Sequence, residues 1–66
     1  MKAPVKNTIH VERAKKGITQ QELADSVGTT RQTIHLLEVG KTDPKISLMV
    51  KIARYFKLKV SDIIDD

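Results

Sequence analysis

Apolar residues recur along this chain at helical spacing, in short blocks broken by glycine or proline. Ile9, Val11 and Ala14 begin the series, and Asn7 or Thr8 stands where a first helix needs its cap. That helix is expected to run to about Lys16. Lys15 and Lys16 suit the negative end of its dipole, and Gly17 stops it. A second helix starts at Thr19-Gln20-Gln21-Glu22, where a hydroxyl and a carboxylate three residues on can each satisfy a free backbone N–H. Ile18 before the cap and Leu23 one turn in can close over it as a hydrophobic staple. Leu23, Ala24 and Val27 face inward, and Gly28 ends the helix in a left-handed conformation cheap only for glycine.

Thr30 caps a third helix that carries Ile34 and Leu37 inward and ends near Gly40. After the connection Lys41-Thr42-Asp43-Pro44, a fourth helix starts between Ile46 and Ser47. Ile46, Met49, Ala53 and Phe56 share its core face, while Leu48, Ile52 and Tyr55 form a second apolar stripe that one small core does not readily bury. Residues 57–59 turn the chain, and Val60, Ile63 and Ile64 mark a short fifth helix. Residues 1–6, with Pro4, read as a frayed tail, and residues 7–66 as one domain. The pattern predicts an all-α fold of five helices. A chain of 66 residues buries only about 60% of its unfolded surface, so it needs tight helix packing or a partner subunit.

Charge narrows the choice of partner. Residues 1–60 hold twelve Lys and Arg against five acids, a net of +7, and the closing SDIIDD brings the chain to +4. A basic body favours a polyanion. The absence of cysteine removes thiolate metal sites and disulfides, and His10 and His35 are too few and too far apart for zinc. No cofactor is expected. Thr29, Thr30 and Thr33 have no base and orienting acid beside them, and Asp62, Asp65 and Asp66 sit at a terminus, so the chain offers no catalytic constellation. One Tyr and one Phe are too few for the stacking platforms of single-strand binders. No apolar run approaches the ~18 residues of a membrane span. The chain reads as soluble and cytoplasmic, prokaryotic or phage-encoded, with no small-molecule pocket.

The joint between helices two and three carries the strongest signal. Ala24 allows a close helix contact, Gly28 four residues later allows a sharp turn, and Ile34 and Leu37 return to the same core. With Gln20, Leu23 and Val27, in the strings GITQQELA, VGTTRQTI and LEVGKT, the chain resembles the Cro/CI (Xre) helix-turn-helix family of lambdoid phage repressors and their bacterial and archaeal relatives. The resemblance spans about residues 7 to 64. It implies a lambda-repressor-like domain whose third helix enters the major groove of double-stranded DNA while the second spans the backbone.

Carried over position by position, the resemblance puts Thr30, Arg31, Gln32 and Leu36 against base edges. Arg31 can bond bidentately to guanine and Gln32 to adenine, each worth about 1–3 kcal/mol of discrimination. Leu36 stands where relatives are often polar and offers only apolar contact, for instance to a thymine methyl. Thr19, Gln20, Thr29, Thr33, His35, Lys41 and Thr42 are expected on phosphates, Gln20 with the helix-two N-terminus behind it. Val39 replaces a common Asn, so contact there falls to the backbone. Arg13 and Glu38 match a family ion pair tying helix one to the end of helix three, bidentate if buried. One recognition helix reads few base pairs, which favours a homodimer on a palindromic operator; Leu48, Ile52, Tyr55, Ile63 and Ile64 are the interface expected for it. Repression by occlusion is the default regulatory reading. The alternative is an antitoxin-like or co-activator-like module in which the same fold binds another protein.

Overall fold

The computed structural model describes residues 6–43 and 45–65, with residues 6 and 65 described by backbone alone. A two-residue strand β1 (Lys6–Asn7) leads into helices α1 (Ile9–Lys16), α2 (Gln20–Val27), α3 (Arg31–Glu38), α4 (Ile46–Tyr55) and α5 (Val60–Ile63), and strand β2 (Ile64–Asp65) closes the order. The fold is the expected all-α domain of five helices, to which the strand pair is an addition. The helices have the expected boundaries to within about two residues. No described helix is long and apolar enough to cross a membrane.

Local chemistry explains each start and stop. Thr19 accepts from the Glu22 amide at 3.0 Å and Glu22 accepts from the Thr19 amide at 3.2 Å, so the capping box at the head of α2 is complete. Gly28 stands at φ 75°, which lets the Thr29 amide reach back to the Ala24 carbonyl at 2.9 Å. The same left-handed step ends α4, but there Lys57 takes it at φ 59°, and the Leu58 amide bonds to the Ala53 carbonyl at 2.8 Å. At α1 the sequence leaves two candidate caps. The Asn7 side chain holds the Ile9 amide at 3.1 Å, whereas Thr8 makes no side-chain cap.

The core draws on every helix: Ile9 from α1, Leu23, Ala24 and Val27 from α2, Ile34 and Leu37 from α3, Met49, Ile52 and Ala53 from α4, and Ile63 from α5. Six large side chains are fully enclosed (Ile9, Leu23, Ile34, Met49, Ile52 and Ile63), and burying each contributes about 2 kcal/mol. For a domain this size, one such side chain is a large share of net stability.

Four expectations need correction. Ile52 and Ile63, placed at a subunit interface, are each 0% exposed, because α4 turns a broad face inward that takes in Met49, Ile52 and Ala53 together. Ile46, placed in the core, is 73% exposed at the first position of α4, one turn before the buried Met49. Ile64, assigned to the fifth helix, is in a strand. β1 pairs antiparallel with β2, Lys6 opposite Asp65 and Asn7 opposite Ile64, so Lys6 belongs to the folded domain instead of the tail. Two residues are too few to show a strand's alternating pattern. Residues 1–5 of the expected tail, Pro44 of the connection and Asp66 lie outside the described residues.

A Cβ on Gly28 would meet nothing within 4 Å, so Gly28→Ala carries only the left-handed backbone penalty. It should lower stability by about 1 kcal/mol without disturbing the core. Lys57→Gly should act in the opposite sense by about 0.5 kcal/mol. Urea-denaturation midpoints of the two variants check both signs.

Candidate nucleic-acid interface

An isolated helix as short as α3 is unstable in water, so its neighbours must hold it in place. At its head, Thr30 accepts from the Thr33 amide at 3.2 Å, and the two hydroxyls lie 2.9 Å apart. Its tail is held by side chains from three other elements. Arg13 of α1 donates through Nε to Glu38 Oε2 at 2.7 Å and through Nη2 to Oε1 at 3.1 Å, while Nη1 reaches the Ile18 carbonyl at 3.1 Å. Gln20 of α2 adds a bond from Nε2 to Glu38 Oε1 at 2.9 Å. Asn7 of β1 donates to the Leu37 carbonyl at 2.7 Å.

The expected ion pair is therefore bidentate and largely enclosed, with the Glu38 side chain 6% exposed and that of Arg13 20%. Burial alone would push the Glu38 carboxyl up. The hydrogen bonds from Arg13 and Gln20, with the charges of Arg13 and His10, outweigh it and hold the carboxyl below its ordinary range. The bond to Glu38 raises the Arg13 guanidinium against the opposing effect of its own burial.

On the outer side, the first turn of α3 presents Arg31 and Gln32 to solvent, with Thr30 exposed beside them and Leu36 half-buried one turn on. Thr19, His35 and Lys41 are exposed, and Gln20, Thr29, Thr33 and Thr42 half-buried. Gln20, expected on phosphate, is engaged within the protein. Its amide nitrogen donates to Glu38 Oε1 at 2.9 Å and lies 3.5 Å from His35 Nδ1. The Lys41 amide closes the end of α3 on the Leu36 carbonyl at 2.9 Å, which places the Lys41 side chain just past the helix. Asn7 is the residue that sequence reasoning missed. It stood only as a possible cap for α1, and nothing local signals a bond to a carbonyl thirty residues away. An open groove between the end of α2 and α4, lined by Asp25, Ser26, Lys51, Arg54 and Tyr55 among others, includes none of the α3 side chains.

Comparison with known proteins bears on this geometry. A helix-turn-helix family model matches residues 9–63. The chain belongs to the helix-turn-helix family, of the Cro/CI type. An HTH-type transcriptional regulator of Methanocaldococcus jannaschii is 44% identical over 59 residues, 89% of each chain. Another, of Archaeoglobus fulgidus, is 53% identical over 51 residues, 77% of this chain and 72% of the relative. Among solved structures, a Bacteroides fragilis protein superimposes with a TM-score of 0.81 at 28% identity, covering 92% of this chain and 98% of the other. The P22 c2 repressor, crystallised with a synthetic operator, shares the fold with a TM-score of 0.77 at 23% identity, over 80% of each chain.

The Glu38 geometry sets a stability prediction. Because its folded carboxyl titrates below the ordinary value of 4.5, its contribution is fully present above about pH 4.5 and is lost as pH falls through the lower folded value. Glu38→Gln should cost about 3 kcal/mol at pH 7, the low end for a buried pair because Arg13 keeps some water. It should also flatten the loss of stability on acidification. Urea midpoints measured from pH 7 down to pH 3 test both effects.

Proposed function

We propose that the protein is a sequence-specific, double-stranded DNA-binding transcriptional regulator, a repressor acting as a homodimer on a palindromic operator. The observation that carries this reading is the exposure of Arg31 and Gln32 on the first turn of a helix clamped at both ends. Direct readout needs side chains that are free of intramolecular partners and held on a rigid frame. Thr30, Arg31, Gln32 and Leu36 then meet base edges. Thr19, Thr29, Thr33, His35, Lys41 and Thr42 meet phosphates, and Gln20 contributes through the backbone N–H groups at the head of α2.

A single α3 spans too few base pairs to select one site in a genome, and pairing two copies solves this by placing half-sites one helical turn apart. With Ile52 and Ile63 in the core, the expected interface reduces to Leu48, Tyr55 and Ile64, half-buried, joined by Ile46, exposed on the same helix as Leu48 and Tyr55. Occupancy of an operator by such a dimer represses by occluding polymerase.

Selection of bound duplexes from a random DNA pool tests the whole reading: a two-fold symmetric site with half-sites about 34–36 Å apart is expected, and no enrichment would sink it. Arg31→Ala should relax preference at one base pair by about 1–3 kcal/mol and leave nonspecific affinity nearly intact. Lys41→Ala should weaken binding to all sequences alike and reduce the salt slope by about one. Since Ile46 is already in solvent, Ile46→Lys leaves the fold intact. Sedimentation should find it monomeric at concentrations where the parent is dimeric; an unchanged profile moves the interface elsewhere.

A further inference from the structure

We infer that Asn7 is a positioning residue for the reading of DNA: from the strand pair near the chain termini, its carboxamide sets the aim of α3. This rests on the reading of the protein as an operator-binding regulator. One planar group ties the start of α1 to the end of α3, with Oδ1 accepting from the Ile9 amide at 3.1 Å and Nδ2 donating to the Leu37 carbonyl at 2.7 Å. Reversing the amide would set donor against donor at Ile9 and acceptor against acceptor at Leu37, so the two bonds fix its orientation. The backbone of Asn7 is fixed as well. It pairs with Ile64 across the strands, and the next amide, Thr8, donates to the Ile63 carbonyl at 2.8 Å.

The Leu37 carbonyl already accepts from the Gly40 amide at 3.2 Å, so Asn7 takes its second lone pair. Arg13 and Gln20 grip the adjacent residue only through the Glu38 side chain, whose torsions let the backbone turn beneath it. Asn7 holds the backbone itself. Arg31 lies at the far end of the helix, about 10 Å along its axis, so a tilt of a few degrees about the Leu37 end displaces the Arg31 donors by much of what a hydrogen bond tolerates. Contacts to phosphates, largely electrostatic, are more forgiving. Losing the hold of Asn7 therefore lowers discrimination between sequences and spares general affinity for DNA, a separation that a merely structural role would not produce.

Asn7→Asp keeps an oxygen for the Ile9 amide and, ionised, cannot donate to Leu37. Asn7→Ser also caps α1, falls short of Leu37 and adds no charge. The full-length parent and both variants are titrated at pH 7 with the operator found by selection and with a random duplex of equal length. Both variants should keep the parent's affinity and salt slope on random duplex and lose about tenfold in the operator-to-random ratio, the scale of one base contact. Amide exchange at Lys41, which closes the end of α3, should quicken in both. An unchanged ratio overturns the inference, as does a parallel fall in both affinities. A loss seen with Asp alone assigns the effect to the new charge and overturns it too. A parent that enriches no duplex overturns the regulator reading as well, whereas parent selection with an unchanged ratio in the variants overturns this inference alone.

Discussion

The placement of α3 depends on directed bonds at its tail, gathered on the enclosed Glu38 carboxylate and on the Leu37 carbonyl beside it. A carboxylate with 6% of its side chain exposed is tolerable only if donors replace the water it has lost. Arg13 and Gln20 supply them, one from α1 and the other from α2, and Asn7 adds a bond to the neighbouring carbonyl from β1. Hydrophobic burial of Ile34 and Leu37 attaches the helix to the core, but burial has no direction and leaves the helix free to rock. Hydrogen bonds have direction. The packing keeps α3 on the domain, and the polar contacts at its tail determine where its head points.

Local rules were enough for most of the fold. The Thr19–Glu22 box, the Gly28 stop and the Thr30 cap are written in short-range chemistry, and they occur as the sequence implies. Legibility failed where the outcome depends on which elements meet. The apolar stripe of α4 does not say how wide a face its neighbours will cover, so Ile52 read as surplus although it is enclosed, and Ile46 read as core although it is open. The pairing of Lys6–Asn7 with Ile64–Asp65 arises because the two ends of the chain are brought together, which no two-residue segment can announce. The exposed positions on α3 were legible through the family motif. Their fixing by Asn7 was not, because that bond spans half the chain.

Gln20 illustrates a choice between two uses of one side chain. The same amide can serve a phosphate or the buried carboxylate, and here it serves the carboxylate. That bond gives α3 directional support from α2.

Because each side chain that grips the tail of α3 comes from another element, the frame and the exposed face of the helix are separable. Arg31 and Gln32 are exposed and take no part in that grip, so exchanging them removes no support of the helix. Arg13, Gln20, Glu38 and Asn7 show the opposite coupling: each change leaves a partner with an unpaired donor or acceptor. In a domain whose core has few large side chains to spare, that division lets the exposed face of α3 vary at little cost in stability. It also makes the orientation of α3 depend on residues that lie off its exposed face.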